Sequence, residues 1–292
     1  MNKGLKIVVL AKQVPDTRNV GKDAMTPERT VNRAALPAIF NPEDLNALEL
    51  ALRLKQERPS STVHILTMGP LRAADIIRDA MFRGADGGYL LTDRKFAGSD
   101  TLATSYALSC ALRKIGADVI VAGRQAIDGD TAQVGPQVAG WLGLPQVTCA
   151  EEIEQIKYSS LVIRRRLEHG VEVVESPLPA VITVCGTAAE VRPQNARLIM
   201  KYKYAMTPSE IAANPEALAA KMTSERDYLK ICELTADDIE CNEQLLGLLG
   251  SPTKVKKIEA VVFQAKESKV LTASDADIEG LMVELIASHT LG

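Results

Sequence analysis

The densest chemical information in the sequence lies in Gly123-Arg124-Gln125-Ala126-Ile127-Asp128-Gly129-Asp130-Thr131-Ala132-Gln133-Val134-Gly135-Pro136. This segment follows an apolar run at 119–122 and precedes a helical pattern holding Val138, Trp141 and Leu142. Its glycines let the backbone come close to a ligand. Thr131 and the amides entering the helix can donate to phosphate oxygens, with the helix dipole favouring negative charge. Asp128 and Asp130 would repel a phosphate that they faced, so they are expected to cap the turn or to accept from ribose or adenine donors. The spacing is neither GxGxxG nor a Walker pattern. A capped turn without ligand chemistry therefore stands beside the nucleotide-binding reading.

Three further segments fall at equivalent strand ends. Lys12-Gln13-Val14-Pro15-Asp16-Thr17 follows the first apolar run, and Pro15 bars it from continuing as a central strand. Asn41-Pro42 is expected to open a helix, with Asn41 as N-cap and Pro42 at the first helical position. Gly69-Pro70 does the same after the second run. Each alone reads as helix capping; together on one sheet edge they favour a shared nucleotide site. Other chemistry is sparse. There is no Gly-x-Ser-x-Gly or His-Glu-x-x-His, and no catalytic residue is nominated. The five cysteines form no CxxC pair and their number is odd, which fits reduced thiols. His64, His169 and His289 are far apart, so no metal site is expected. Cys149 and Cys185 read as buried structural thiols beside apolar strands. Arg164-Arg165-Arg166 reads as a solvated strand face and His169 as a turn residue.

These loops need a scaffold, and the hydropathy pattern supplies one. Runs rich in β-branched residues at 6–11, 63–68, 89–91 and 119–122 are of the type buried on both faces of a parallel sheet. Between them, amphipathic patterns predict helices over 43–56, 71–82 and 99–115, the last with Ser99 or Asp100 as N-cap and Gly116 at its end. Strands alternating with helices specify an α/β fold, a doubly wound and mainly parallel sheet whose ligands bind beyond the carboxyl ends of its strands. An added β-hairpin is expected from 161–166 and 170–175, followed by another buried run at 180–185. From 186 to about 257 the pattern loosens, and Ser274 with Asp277 form a capping box before a final helix on a long C-terminal arm. The expected division is a nucleotide-binding domain over 1–190, a partner-docking and irregular helical segment over 191–257, and the arm over 258–292.

Composition narrows the function classes. The 292 residues are 46% hydrophobic and 24% charged, as in an ordinary globular protein. Lys and Arg number 34 against 37 Asp and Glu, a net charge of −3, so no strong positive field holds nucleic acid. No apolar stretch approaches the roughly 20 residues of a membrane span, and the run near the N-terminus is too short for a secretory core. A cytoplasmic protein without membrane insertion is expected.

The chain resembles the β (small) subunit of electron transfer flavoproteins over nearly its full length. The resemblance rests on Val9-Leu10-Ala11-Lys12-Gln13-Val14-Pro15-Asp16-Thr17, Asn41-Pro42-Glu43-Asp44-Leu45-Asn46-Ala47, Gly84-Ala85-Asp86, the 123–136 loop and Leu178-Pro179-Ala180-Val181. It implies a heterodimer with a larger α subunit carrying the electron-transferring FAD. It also implies a nucleotide site in this chain, filled by AMP in housekeeping members and by a second FAD in electron-bifurcating ones. Carried over, that site comprises Leu10, Ala11, Asn41 and Met68 with Gly123, Arg124, Gln125, Ala126, Ile127, Asp128, Gly129, Asp130, Thr131, Ala132, Gln133 and Val134.

AMP-type members usually have an acidic residue in place of Gly129 and Asn near Ala132. That difference, with Gly98-Ser99-Asp100-Thr101-Leu102-Ala103-Thr104, makes this chain similar to the bifurcating group. There Asp100, Thr101 and Thr104 would face the extra flavin from a helix N-terminus, which favours a cofactor that gains negative charge. The resemblance then implies that NADH gives a hydride to this FAD. One electron passes through the α subunit to an acyl-CoA dehydrogenase-like acceptor, the other to ferredoxin or flavodoxin. The segment at 191–203 lies where the family docks partners. Its usual Glu-Pro-Arg is here Val191-Arg192-Pro193, and Ala196, Arg197 and Leu198 are the expected contact residues. A housekeeping carrier binding AMP remains an alternative, as does a stand-alone nucleotide-binding regulatory module of universal-stress type.

Overall fold

A computed structural model of the chain describes residues 4–16, 37–253 and 270–287. Thr17, the 254–269 stretch of the expected arm, and 288–292 with His289 lie outside the described residues. The first apolar run forms β1 (Lys6–Leu10), the centre of a nine-stranded sheet among the described residues. On one side lie β4 (Thr62–Met68), β5 (Gly87–Leu91) and β11 (Cys232–Leu234). On the other lie β6 (Val119–Gly123), β10 (Ala180–Val184), β7 (Gln146–Ile156), β8 (Ser160–Leu167) and β9 (Gly170–Pro177). Pairing is parallel from β11 to β7 and antiparallel through β8 and β9, the expected hairpin.

The alternation of side chains along each central strand builds two cores. Ile7, Val9, Val63, Ile65, Val119 and Val121 face α1 (Pro42–Glu57) and α2 (Ala74–Arg83). Val8, Leu10, Leu66, Ile120 and Ala122 face α3 (Thr101–Ile115) and α4 (Val134–Leu142). Both faces are covered, which is why these strands read as unbroken apolar runs.

Several elements escape that pattern. Pro15 ends β2 (Gln13–Pro15), paired only with β3 (Ala38–Phe40) in a short antiparallel ribbon, where a missing N–H is tolerated. β7 carries a bulge between its pairings with Ile182 and Val184, with Cys149 at φ 58°, so its sequence shows no regular alternation. A three-residue 3-10 turn at 71–73 precedes α2, so the helix starts later than Gly69-Pro70 suggests. Beyond β10 come α5 (Ala196–Tyr202), α6 (Pro208–Ala213) and α7 (Leu218–Glu225).

The final helix, α8 (Asp275–Ala287), has no buried residue. At its start the Asp277 amide donates to the Ser274 hydroxyl at 3.3 Å, as in the expected capping box, and the Asp277 carboxylate accepts from the Thr272 amide at 2.9 Å. Two side-chain expectations are corrected. Cys149 and Cys185 are half-buried rather than sealed in the core, because they sit at the sheet's carboxyl edge. Asn41 precedes α1 but caps none of its amides, its side chain being used elsewhere. The arginines of β8 meet carboxylates: Arg164 with Glu152, Arg165 with Glu172 and Arg166 with Glu151.

Candidate nucleotide site

The carboxyl ends of β1, β4 and β6 open into one cleft of about 430 Å³, within the roughly 300–1,000 Å³ usual for small-molecule sites. It lies where the chain, having laid β4 and β5 on one side of β1, returns to place β6 on the other, the position at which doubly wound sheets bind ligands. The floor is apolar, formed by Leu10, Leu66, Phe96 and Leu108, with Met68 and Ala122 at its edges. One wall is the 123–135 loop, the other the start of α3 at Gly98 to Thr104.

The first turn of α1 holds the loop in place. Asp44 accepts from the amides of Lys12 at 2.8 Å and Gly123 at 3.0 Å, joining the ends of β1 and β6. Glu43 accepts from the Arg124 guanidinium and from the Gln125 amide, both at 2.9 Å. Asn41, fully buried, donates to the Gln125 carbonyl at 2.9 Å and accepts from the Ile127 amide at 3.2 Å. Burial pushes the Asp44 carboxyl up to about 7, against the hydrogen bonds from Lys12, Asn41 and Gly123 that favour its ionised form.

Of the residues expected at the site, Leu10, Ala11, Met68, Asp100, Thr101, Thr104, Gly123, Arg124, Gln125, Ala126, Gly129, Asp130, Thr131, Ala132, Gln133 and Val134 line the cleft together. Asn41, Ile127 and Asp128 do not line it; they stand behind the wall and shape it. Asp128 is turned to Lys12, whose ammonium lies 2.7 and 2.9 Å from its two oxygens. Asp130 accepts from the Gln125 amide side chain at 3.0 Å. Asp128 thus has a cation as its partner, which answers the objection that it would repel a phosphate, whereas Asp130 has a neutral amide and lines the cleft, so a phosphate must bind away from it. Asp130 and Ala132 take left-handed φ values of 48° and 52°, a conformation costly for residues with a Cβ and frequent at ligand clamps.

The two helix N-termini at the cleft differ. Asp100 caps α3, accepting from Ala103 at 3.0 Å, and its other oxygen accepts from Thr253 at 3.0 Å. Burial pushes this carboxyl up, but the amides of Ala103, Thr253 and Leu102 outweigh burial and hold it below the usual carboxylate range. A fixed negative charge therefore offsets the dipole of α3. The start of α4, at Gln133, has no side-chain cap, so its first amides are the stronger anion donors. The Thr101 hydroxyl donates to Gln133 Oε1 at 3.0 Å and ties the two walls together.

Sequence reasoning missed Lys12, Asp44, Leu66, Phe96, Gly98, Ser99, Leu108, Ala122 and Gly135 as lining residues. The strand residues carried a signal, since each is at or near the carboxyl end of a run. Asp44 gave one too, as an acidic residue in the first turn of a helix that follows a strand. Ala196 and Arg197, expected at the docking segment, are exposed in the first turn of α5, whereas Leu198 packs partly against the core. That segment is anchored by Arg192, which donates to the buried Glu49 at 2.7 and 3.1 Å. Burial pushes Glu49 up, but Arg192 and Arg53 outweigh it and hold its carboxyl below the usual range. Among the described residues no group of His, Cys, Asp and Glu side chains forms a metal site, and no helix is long and apolar enough to cross a membrane.

Comparison with known proteins gives the family. The model of the electron transfer flavoprotein domain matches residues 29–209. The chain is 42% identical over 251 residues to the electron transfer flavoprotein subunit beta of Thermoanaerobacterium thermosaccharolyticum, covering 86% of each chain. It is 39% identical over 292 residues to the acryloyl-CoA reductase electron transfer subunit gamma of Anaerotignum propionicum, covering 98% of this chain and 100% of the relative. To the caffeyl-CoA reductase-Etf complex subunit CarD of Acetobacterium woodii it is 47% identical over 180 residues, 61% of this chain and 68% of the relative. With a family match over more than half its length and relatives of this identity along most of it, the chain belongs to the electron transfer flavoprotein family, as a beta subunit.

Proposed function

We propose that this beta subunit pairs with a larger, FAD-carrying α subunit in the cytoplasm and that its own cleft holds a second FAD, in an electron-bifurcating complex. The observation that carries the reading is the continuity of the cleft. One cavity joins the 123–135 loop to the start of α3 across an apolar floor, so it offers a phosphate cradle and an aromatic-ring surface together. Bound FAD would supply two-electron acceptance from NADH and one-electron release towards two acceptors.

The chain's own residues bind and orient. Gly129, open on its cleft side, lets backbone come close to the ligand, and the first amides of α4 with the Thr131 hydroxyl donate to phosphate oxygens. Arg124 and Lys12 add positive charge at the rim, tempered by Glu43 and Asp128. Leu10, Leu66, Phe96 and Leu108 exclude water from a ring face. Thr101 and Thr104 present hydroxyls from α3 to the flavin end.

Two relatives are named for CoA-thioester reductase complexes, which supports an acyl-CoA dehydrogenase-type protein as the higher-potential acceptor, contacted through Ala196, Arg197 and Leu198. Ferredoxin or flavodoxin is the low-potential acceptor. Ile278, Met282, Val283 and Ile286 are exposed on α8, apolar surface suited to the α subunit. The alternative, an AMP-binding electron carrier without NADH chemistry, draws on the cleft volume, which lies in the lower part of the ligand-site range. Anaerobic titration of the purified complex with NADH tests the reading. Flavin absorbance bleaches stoichiometrically if it is right, and stays unchanged over the same period if it is wrong.

A further inference from the structure

Cys149 and Cys185 lie on neighbouring parallel strands, β7 and β10, where their ladder changes register. Val147 faces Ile182 but Ala150 faces Val184, so β7 carries one extra residue across this interval. Cys149 accommodates it with its left-handed φ of 58°, a conformation uncommon outside glycine. Its amide donates to the Thr183 hydroxyl at 3.3 Å, and the Cys185 amide donates to the Ala150 carbonyl at 3.1 Å. The two cysteines thus stand one residue to either side of the paired Ala150 and Val184 at the sheet's carboxyl edge, where the Cys149 sulfur acts on Cys185. Neither is sealed from solvent.

The surroundings give the two sulfurs different roles. Cys185 is pushed up to about 12, first by burial and then by the neighbouring Cys149 sulfur, so it stays a neutral thiol able to donate. The Arg124 guanidinium, which holds Glu43 at 2.9 Å, acts on both sulfurs.

We propose that Cys149 and Cys185 form a site of oxidative modification, a thiol pair that closes to a disulfide with a hydroperoxide as oxidant. The Cys149 sulfur attacks the terminal peroxide oxygen, the O–O bond breaks, and the alcohol or water leaves with a proton. Cys149 is then a sulfenic acid. The Cys185 sulfur attacks it, an S–S bond forms, and hydroxide leaves as water with the Cys185 proton. Two thiols lose two electrons in total and one peroxide gains them. The proposal is independent of which nucleotide fills the cleft.

The test uses the intact protein with whatever partner co-purifies, treated with hydrogen peroxide, alkylated, digested without reduction and mapped by mass spectrometry. The expected result is loss of Cys149 and Cys185 together as alkylatable thiols, a linked peptide containing both, and recovery of both by a dithiol reductant. In Cys185→Ser, dimedone labels Cys149 in place of the lost disulfide; in Cys149→Ser, Cys185 stays alkylatable. Oxidation of the exposed Cys232 while Cys149 and Cys185 remain alkylatable would overturn the proposal. So would dimedone labelling of Cys185 in Cys149→Ser.

Discussion

Asp44 Oδ1 lies 3.0 Å from the Gly123 nitrogen, and a Cβ built on Gly123 would stand 2.4 Å from that same oxygen. The first turn of α1 and the carboxyl end of β6 are thus joined by a contact only glycine allows. The whole 124–133 wall hangs from this point.

Replacing that glycine tests the joint. In Gly123→Ala the new methyl also meets Glu43 C at 2.7 Å and Asp44 N at 2.8 Å, both backbone atoms that cannot swing aside. Overpacking of this kind costs about 1–3 kcal/mol. Thermal unfolding should fall by roughly 3–10 °C at this chain length, and nucleotide retention should fall with it. An unchanged melting temperature would show that α1 does not clamp β6.

Asp44 also sets a pH dependence. Its folded pKa, about 7, lies above the unfolded value of about 3.9. Between those values the folded state binds the proton and the unfolded state does not, so stability from this group is full below about pH 4 and is lost as pH rises through about 7. The full span is on the order of 4 kcal/mol. Urea unfolding at stepped pH should show Asp44→Asn with a smaller fall in stability over that window than the parent chain. Parallel curves for the two proteins would refute the assignment.

Gly129 behaves differently from Gly123. A Cβ there meets nothing within 4 Å, yet the residue lines the cleft. Gly129→Asp should therefore fold normally and bind FAD more weakly, by roughly tenfold for about 1.4 kcal/mol of added size and repulsion. Isothermal titration with FAD reads this directly. Unaltered affinity for FAD would remove Gly129 from the site.

Arg192 is the fastener of the segment before α5. Removing it in Arg192→Ala leaves the buried Glu49 with Arg53 at 2.9 Å as its remaining cation. We expect a loss of about 2–3 kcal/mol, below the usual cost of an orphaned buried charge because Arg53 stays. Arg192→Lys recovers only part, since an ammonium cannot make the two-pronged contact. Faster amide exchange over 192–203 in Arg192→Ala, with the central sheet unchanged, is the expected signature.

The central sheet and the loops at its carboxyl edge were legible because both faces of β1, β4 and β6 are covered, leaving unbroken apolar runs. β11 was not: its three residues gain their place only by pairing with β5 across more than a hundred intervening positions. β7 was hidden by the bulge at Cys149, which breaks its alternation. At the site, residue types revealed which loops converge but not which way each side chain turns. Asn41 looked like a helix cap and instead bonds across to Gln125 and Ile127, while Asp128 spends its charge on Lys12. Those choices depend on distant backbone groups brought near by the fold, and local spacing carries no record of them.

The cofactor content of the purified two-subunit complex, released by acid and quantified, addresses the central claim most directly. Two FAD per heterodimer with no AMP is the result predicted for a cleft that holds a second flavin. One FAD and one AMP per heterodimer would contradict it and leave the chain as an ordinary electron carrier.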